Sequence, residues 1–197
     1  MIVTVASFKG GVGKTTTAVH LAAYLQQLAP ALLVDGDPNR SASHWAKRGS
    51  LPFRVVDERA AARHVREFSH VVIDTQARPD PEDLQALAEG CDALIIPTTP
   101  DALALDALMQ TVEALRTIPA ARWRVLLTAV PPRPSRDGEE ARALLTEAGL
   151  PIFAGSVRRL VAFQKAALAG VPVSAVADPR AAQGWADYVS VGKELRP

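Results

Sequence analysis

The 197 residues of this chain suit one compact domain, residues 1–197, which at that size requires no disulfide or metal to hold its core together. Apolar residues make up 48% of the chain, charged residues 22% and aromatic residues 5%, and the net charge of +1 indicates no class of partner. The single cysteine, Cys91, excludes an internal disulfide and a cysteine cage for zinc or iron–sulfur within one chain. The N-terminus lacks the pattern of a secretory signal, and no apolar run reaches the ~18 residues of a membrane helix. We therefore expect a cytoplasmic protein.

Short β-branched runs alternate with Ala- and Leu-rich stretches along the chain, without repeats or a long linker. The predicted strands are residues 2–6, 31–34, 53–56, 70–73, 93–97, 124–130 and 151–153. The predicted helices are residues 15–28, 41–48, 58–67, 81–89, 102–116, 136–148, 160–169 and 181–195. This alternation implies right-handed βαβ units, so we predict a three-layer α/β fold with a mainly parallel, twisted sheet of about seven strands and helices on both faces.

A glycine-rich loop separates the first predicted strand from the first predicted helix. Glycines let the backbone turn so that successive N–H groups point at anionic oxygens, and the positive N-terminal end of a helix strengthens the attraction. In such a loop the lysine contacts the terminal phosphates of a nucleotide, and the hydroxyl that follows it binds Mg²⁺. We therefore predict an ATP-binding phosphate loop formed by Lys9, Gly10, Gly11, Val12, Gly13, Lys14, Thr15 and Thr16.

Carboxylates follow two later strands, at the edge of the sheet where parallel strands bind their ligands. Asp35 and Asp37 belong to Asp-Gly-Asp-Pro-Asn after the second strand, and Asp74 ends the apolar segment His-Val-Val-Ile-Asp. Each pattern alone has an ordinary structural explanation, because Asp and Asn favour turns and many buried strands end in Asp. Their order after the glycine-rich loop instead indicates a functional role, and an apolar strand that ends in Asp74 can deliver that carboxylate to Mg²⁺.

The loop and the two carboxylate motifs together resemble the ParA/MinD family of deviant Walker A P-loop ATPases. The match is most specific at residues 9–16, 35–39 and 70–74. It is most like the short ParA-type ATPases, because the loop begins at residue 9 and leaves no room before it for a helix-turn-helix region. The resemblance implies a P-loop NTPase fold, slow Mg²⁺-dependent hydrolysis of ATP, and a homodimer that closes on ATP binding. It also implies that Lys9 is the signature lysine that reaches the nucleotide of the partner subunit.

The same resemblance implies roles for individual residues. The implied sets are Lys9, Lys14 and Asp37 for catalysis, Thr15, Asp35 and Asp74 for Mg²⁺, and Pro131 for the adenine base. Asp37 would position the attacking water, and Asp35 would support the metal shell or the loop lysine. The segment after Asp74 departs from the family, which continues with one or two prolines where this chain has Gln76 and Ala77. The geometry of that second switch segment is therefore open.

Family members use this chemistry for different purposes, and a ParA-type partition or cargo-positioning switch is the main hypothesis. In such a switch the ATP-bound dimer binds DNA without sequence preference, and a ParB-like or other adaptor protein stimulates hydrolysis and release. Residues 152–170 contain three basic and no acidic side chains, and these are the candidate DNA contacts: Arg158, Arg159 and Lys165. The ordinary alternative is a solvated surface. The hypothesis places the protein in the cytoplasm, on the nucleoid when ATP is bound.

Two alternative functions stay open. A MinD-like membrane-associated ATPase would need a basic amphipathic C-terminal helix. The tail, residues 185–197, instead mixes Lys193 with Asp187 and Glu194, and its Trp185 and Tyr188 look like a face packed on the domain, so we expect no membrane partner. A metabolic P-loop ATPase would need a second substrate site, and no segment of the sequence indicates one.

Overall fold

A six-stranded parallel sheet lies at the centre of the computed structural model, which describes residues 1–119 and 122–195. Its strands are β1 (Ile2–Ser7), β2 (Ala31–Asp35), β3 (Arg54–Asp57), β4 (His70–Ala77), β5 (Ala93–Thr98) and β6 (Trp123–Leu127). Their order across the sheet is β3-β2-β4-β1-β5-β6, and every neighbouring pair runs parallel. The predicted α/β fold with a parallel sheet is confirmed.

Helices cover both faces of the sheet and complete the predicted three layers. One face carries α1 (Lys14–Gln26), α2 (Ser41–Arg48), α8 (Val161–Ala169) and α9 (Ala181–Glu194). The opposite face carries α3 (Glu58–His64), α4 (Pro81–Glu89), α5 (Ala102–Met109), α6 (Val112–Arg116) and α7 (Asp137–Glu147). Short 3₁₀ turns follow α3 at Val65–Glu67 and precede α9 at Val173–Ala175.

Successive side chains of each strand point to opposite faces of the sheet and therefore enter different cores. In β2, Leu33 packs with the α1 and α9 layer, whereas Leu32 and Val34 pack beneath α3. In β5, Ile95 enters the first core and Leu94 enters the core under α4 to α7. Burial on both faces is typical of parallel sheets, and it explains why the strands are continuous apolar runs in the sequence.

The sheet contains six strands in the described residues, not the seven or so that we expected. The predicted strand at residues 151–153 meets β6 only through an isolated bridge between Val125 and Ile152. The Val125 N–H donates to the Pro151 carbonyl at 2.8 Å, and the Phe153 N–H donates to the Val125 carbonyl at 3.0 Å. Pro151 has no N–H with which to extend the ladder, so this segment borders β6 without becoming a strand.

Two helices differ from the sequence prediction by more than two residues. The helix at residues 102–116 is divided into α5 and α6, because Thr111 leaves helical geometry with φ −106° and ψ 1°. The Thr111 hydroxyl donates to the Leu108 carbonyl at 2.7 Å, a local bond that competes with the helical ladder. The helix at residues 58–67 ends at His64 and continues as the 3₁₀ turn.

The C-terminal helix α9 packs on α1 through its apolar side. Tyr188 and Val191 are buried in that core, and Trp185 and Val189 pack against it while partly buried. The predicted packed face is thus confirmed, except for residues 196 and 197 of the predicted tail, which lie outside the described residues. Within the described ranges, no helix combines the length and the apolar composition that crossing a bilayer requires.

The strand order brings three loops together at one edge of the sheet. β4 lies between β1 and β2, so that Asp74 of β4 is in register with Val5 on one side and with Asp35 on the other. Because all three strands run parallel, the loops that follow them leave from the same edge. The glycine-rich loop and both carboxylate motifs therefore meet there.

Candidate functional site

The glycine-rich loop between β1 and α1 forms an open backbone cradle. Gly11 and Gly13 have left-handed backbone conformations, with φ of 82° and 83°, that residues with a Cβ rarely adopt. A Cβ at Gly10 or Gly11 would meet nothing within 4 Å, so there is free space beside the loop backbone. Helix α1 begins at Lys14, directly after the loop. The loop can therefore receive an anion at a helix N-terminus.

Lys14 is buried between two carboxylates. Its Nζ lies 2.8 Å from Asp37 Oδ2 and 2.8 Å from Asp74 Oδ1. The three side chains are only 8%, 9% and 0% exposed, so their charges interact with little screening by water. One ammonium faces two carboxylates, and the remaining negative charge suits a divalent cation.

Thr15 and Asp74 stand side by side beneath the loop. The Thr15 hydroxyl donates to Asp74 Oδ2 at 2.7 Å, while the other carboxylate oxygen accepts from Lys14. Burial raises the pKa of the Asp74 carboxyl, against the lowering effect of the Lys14 charge and hydrogen bond. A hydroxyl oxygen next to a carboxylate oxygen is the kind of hard-ligand pair that Mg²⁺ takes from a protein when phosphates supply other ligands. This pair therefore fits Mg²⁺.

Asp37 anchors the loop that follows β2. Its Oδ1 accepts from the backbone N–H and the side-chain amide of Asn39, at 2.9 and 3.0 Å. Burial favours a raised pKa for Asp37, but the hydrogen bonds from Lys14 and Asn39 outweigh burial and hold the pKa below its ordinary value. Asp37 is thus ionised at neutral pH and lines the cavity above the loop.

Asp35 is fully buried beneath the same loop. Its Oδ1 accepts from the Asp37 N–H at 3.3 Å, and its Oδ2 accepts from the Ser43 N–H at 2.7 Å. Both carboxylate oxygens are therefore engaged by backbone amides of the loop and α2. In this arrangement Asp35 shapes the loop that carries Asp37, and its contribution to the metal shell stays a prediction.

Lys9 lies at the rim of the loop and pairs within its own chain. Its Nζ is 2.8 Å from Asp101 Oδ1, and the Thr99 hydroxyl donates to the other oxygen of Asp101. The hydrogen bonds from Lys9 and Thr99 lower the pKa of the Asp101 carboxyl. Asp101 also caps α5 by accepting from the Ala104 N–H at 3.0 Å. The side chains of Lys9 and Asp101 are 30% and 51% exposed, so water reaches this ion pair.

A cavity of about 480 Å³ lies over the loop, a size that suits a small-molecule ligand. The lining residues that the sequence analysis did not identify are Ser7, Ser41, His44, Trp45, Arg48, Ala77 and Ala167. The α2 residues follow the Asp37 motif closely, and that proximity is the signal that could have revealed them. Ala167 comes from α8, and its carbonyl accepts from Arg48 Nη1 at 2.7 Å, a contact that no local pattern indicates.

Thr128 connects the end of β6 to the glycine-rich loop and was also missed. Its hydroxyl donates to the Val12 carbonyl at 2.7 Å, and its side chain lies 3.7 Å from where a Cβ on Gly13 would stand. β6 ends before its predicted limit, because Ala129 adopts a positive φ of 47°. Pro131 lines a separate cavity of about 210 Å³, so its predicted role at the adenine base stays a prediction.

The segment after Asp74 continues as a strand up to Ala77, which lines the large cavity. Gln76 is exposed. Arg78 then turns the chain with a positive φ of 60°, and its N–H donates to the Ser7 carbonyl at 2.7 Å. The departure from the family pattern thus places a small side chain, Ala77, beside the cavity.

Two of the three candidate DNA contacts are already engaged in ion pairs. Arg158 donates from Nε and Nη2 to Asp187 Oδ1, at 3.1 and 2.8 Å. Lys165 Nζ lies 2.7 Å from Asp178 Oδ2. Arg159 is exposed and has no carboxylate oxygen within 4.0 Å among the described residues. The role of all three residues as DNA contacts stays a prediction, and the structure brings acids to a region that has none in the local sequence.

The arrangement at the sheet edge suits a nucleoside triphosphate. The loop amides and Lys14 can contact phosphate oxygens, and the side chains of Thr15 and Asp74 can hold Mg²⁺. Asp37, an ionised carboxylate on the cavity wall, can accept a hydrogen bond from a water molecule. The cluster therefore contains the groups that phosphoryl transfer to water requires.

Comparison with known proteins identifies the family of this chain. Residues 3–173 match the family described as the CobQ/CobB/MinD/ParA nucleotide binding domain. The maintenance of carboxysome distribution protein A of Gloeobacter kilaueensis is 40% identical over 201 residues, which cover 98% of this chain and 93% of that protein. The protein of the same name from Halothiobacillus neapolitanus is 31% identical over 183 residues, 86% of this chain and 84% of that protein.

A solved structure shares the fold. An ATP complex of a McdA variant from Cyanothece superimposes with a TM-score of 0.68 at 18% identity, and the match covers 99% of this chain and 94% of that one. The family match spans most of the chain, and the Gloeobacter relative is similar over nearly its whole length. This chain therefore belongs to the CobQ/CobB/MinD/ParA nucleotide-binding domain family.

Proposed function

We propose that this chain is an ATP-dependent positioning switch that closes as a homodimer on binding ATP and opens on hydrolysis. The observation that carries the proposal is the buried cluster of Lys14, Asp37 and Asp74 beside an open glycine-rich loop, with Lys9 at its rim. The names of the two relatives above support positioning of a cargo as the output, with a carboxysome-like protein compartment as the favoured cargo.

A triphosphate in the cradle would replace Asp37 and Asp74 as the partner of Lys14. The backbone amides of the loop would hold the β- and γ-phosphates, and the ammonium would follow them because their charge exceeds that of the carboxylates. Thr15 and Asp74 would then be free to hold Mg²⁺, which supplies neutralisation of the phosphate charge. Asp37 would orient the attacking water. Catalysis by positioning alone suits slow hydrolysis of ATP, and slow hydrolysis would let the ATP-bound state of the switch persist.

Lys9, the second lysine of the loop, would complete the nucleotide site of the partner subunit, so that each site requires the dimer. Lys9 would exchange Asp101 for the nucleotide of the partner subunit when two ATP-bound chains meet. The ion pair that it leaves is exposed to water and therefore weak, whereas a phosphate offers more charge. Binding of ATP would thus favour the dimer. Loss of the γ-phosphate would remove the negative charge that attracts Lys9 to the nucleotide of the partner subunit.

The dimer in turn would bind DNA without sequence preference and would carry its cargo through an adaptor protein. The adaptor would stimulate hydrolysis and so release the dimer from the nucleoid near the cargo. This cycle requires the nucleotide site, the dimer and a DNA-binding surface in the same small domain.

Three substitutions separate these steps. Lys14→Ala is expected to abolish ATP binding, because it removes a buried cation from the place where the phosphates would bind. Asp37→Ala is expected to bind ATP but to hydrolyse it at least about tenfold more slowly, because the water loses its partner. Lys9→Ala is expected to bind ATP and to remain monomeric. Titration with a fluorescent ATP analogue, sedimentation with and without ATP, and phosphate release measure the three effects.

The matched control is Lys193→Ala, which removes an exposed cation of the C-terminal helix and should behave like the wild type. Wild-type dimerisation and turnover by the Lys9→Ala variant would contradict the role of the signature lysine. Turnover that occurs only with a second small molecule would favour the metabolic alternative. Sedimentation of the ATP-bound protein with lipid vesicles would favour the MinD-like one.

A further inference from the structure

We propose that the solvent side of α3 binds the phosphate backbone of double-stranded DNA. The surface, called here the α3 arginine face, consists of Arg59, Arg63 and Arg66, all three exposed. The inference rests on the proposed DNA-tethered switch and places its contact surface away from the C-terminal candidates, on the helix that covers the edge strand β3.

The position of α3 explains why its arginines point outward. Ala60 and Ala61 of α3 and Val65 of the following 3₁₀ turn pack against the core over β2 and β3. Arg59 and Arg63 are four residues apart and so lie on one side of the helix, and Arg66 follows three residues later in the 3₁₀ turn. The strand order ends at β3, so the α3 arginine face lies at an outer edge of the sheet.

Among the described residues, the arginines of this surface form no ion pair with an acid. Within the described residues, no carboxylate oxygen lies within 4.0 Å of a side-chain nitrogen of the α3 arginine face. Two acids of the same segment are engaged elsewhere, since Asp57 pairs with Arg40, and Glu67 pairs with Arg54 and His64. Glu58, at the start of the helix, is exposed and borders a separate cavity beside Gly36.

The C-terminal candidates have a different charge environment. Arg158 Nη2 lies 2.8 Å from Asp187 Oδ1, and Lys165 Nζ lies 2.7 Å from Asp178 Oδ2. A phosphate would have to displace these carboxylates. In the described residues, Arg159 alone among those candidates has no ion pair. The α3 arginine face therefore presents more uncompensated positive charge to an anion.

The chemistry of this surface fits a polyphosphate chain better than a membrane. Guanidinium groups bind phosphate oxygens in a planar, bidentate geometry, and a few such contacts give salt-dependent binding without sequence preference. A surface that enters a bilayer also needs exposed apolar side chains. On the exposed side of α3 the apolar residue next to the arginines is Ala62, and the larger apolar side chain, Val65, faces the core. DNA is therefore the favoured partner.

A chain of contacts links the α3 arginine face to the nucleotide site. Asp57 caps α3 by accepting from the Arg59 N–H at 2.7 Å, and it pairs with Arg40. Arg40 follows the loop that carries Asp37, and its Nη1 donates to the Asp35 carbonyl at 3.2 Å. Movement of that loop on ATP binding would act on the first turn of α3. DNA binding through α3 would thus depend on the nucleotide.

The test compares three variants with the wild type by fluorescence anisotropy of a labelled DNA duplex. The variants are Arg59→Gln/Arg63→Gln/Arg66→Gln, Arg158→Gln/Arg159→Gln, and the control Arg116→Gln/Arg133→Gln/Arg136→Gln. The control removes the same charge from three exposed arginines that pair with glutamates. Each protein is measured with ADP, ATP and a non-hydrolysable ATP analogue at several NaCl concentrations.

The α3 variant is expected to lose at least about tenfold in affinity for DNA in the ATP state. The slope of log affinity against log salt should fall by about 2 to 3, because three phosphate contacts are removed. The control and the C-terminal variant should stay within about threefold of the wild type. Basal ATP hydrolysis and the melting temperature should be unchanged in the α3 variant. The reason is that its arginines lie outside the cavity of about 480 Å³ over the glycine-rich loop, called here the nucleotide cavity.

Several results would overturn the inference. An equal loss in the α3 variant and the control would show an effect of net charge alone, and a loss confined to the C-terminal variant would move the DNA surface there. Either outcome leaves the proposed switch intact. The inference and the DNA tether would both be refuted if the wild type bound no DNA in any nucleotide state. The same conclusion would follow more strongly if the wild type, but not the α3 variant, bound phosphatidylserine vesicles. If the triple variant fails to fold, Arg63→Gln alone should lower the slope by about 1.

Discussion

Two lysines of the glycine-rich loop have the same charge and opposite surroundings. Lys14 is enclosed by Asp37 and Asp74 with almost no exposure, so only a ligand with more negative charge can draw it away. Lys9 is paired with Asp101 in contact with water, where such a pair contributes about 0–1 kcal/mol. We infer from this difference that Lys14 leaves its two carboxylates only for a phosphate, whereas Lys9 exchanges partners at small cost.

Asp101→Asn is therefore expected to favour the ATP-bound dimer. The substitution removes the charge that holds Lys9 within its own chain, while Asn preserves the cap of α5. Since the pair is exposed, we expect the ATP concentration at half-dimerisation to fall by no more than about fivefold. Sedimentation at increasing ATP measures it. Asp101→Ala, which also loses the cap, serves as the comparison, and a higher ATP requirement in Asp101→Asn would contradict the prediction.

Two helices contact each other through backbone at the wall of the nucleotide cavity. The end of α2 meets the end of α8, where a Cβ on Gly170 would stand 2.2 Å from Gly49 N. Gly170 also has a positive φ of 69°. The same two helices contribute Trp45, Arg48 and Ala167 to the cavity lining. Their close approach thus sets the position of one wall of the site.

Gly170→Ala is expected to destabilise the protein more than Gly149→Ala, its matched control. Gly149 has a similar φ of 71°, but a Cβ there would meet nothing within 4 Å. The control should cost about 1–2 kcal/mol for the left-handed conformation, and Gly170→Ala should cost about 1–3 kcal/mol more for overpacking. Urea unfolding measures both free energies. Equal losses would mean that the contact between α2 and α8 relaxes without strain.

A buried histidine connects α1 and α9, the first and last helices along the chain. His20 of α1 stacks on Tyr188 of α9 with ring centroids 4.8 Å apart. Its Nε2 accepts from the Val173 N–H at 2.9 Å, so the proton resides on Nδ1, which donates to the Thr16 carbonyl at 2.7 Å. Burial lowers the pKa of His20 to about 4. The neutral ring thus joins α1, the helix that follows the glycine-rich loop, to the C-terminal helix α9.

Global stability is expected to fall when the pH drops below about 6.5. The unfolded chain protonates His20 near its ordinary pKa of 6.5, whereas the folded protein does so only near 4, so the unfolded state binds more protons between these values. The free energy of unfolding should decrease by about 3 kcal/mol across that window. Urea unfolding at pH 7.5, 6 and 5 should record about 2 kcal/mol of this decrease, at pH values above those at which the lowered pKa values of Asp37 and Asp101 contribute. The raised pKa of Asp74 acts in the opposite direction and makes the decrease smaller. A flat profile would contradict it.

Short-range patterns predicted the parts of this fold and site that arise within one segment. The glycine-rich loop, Lys14 and the carboxylates in or directly after β2 and β4 could be found because spacing along the chain is enough to place them. The break at Thr111 was missed, because a side-chain hydrogen bond overrides helical periodicity there. The prediction of a strand at residues 151–153 was wrong. Pairing with β6, and not local propensity, decides whether such a short segment becomes a strand.

The sequence by itself determined the α/β architecture and the glycine-rich loop between β1 and α1, since both follow from local periodicity and from glycine chemistry. Only the tertiary structure decided which charges meet: Lys9 with Asp101, Arg158 with Asp187, and Lys165 with Asp178. It also decided that α8 borders the nucleotide cavity and that the α3 arginine face has no acidic partner among the described residues. These contacts join residues from separate elements, and no local signal specifies them, because packing of the layers sets the distances at which charges interact.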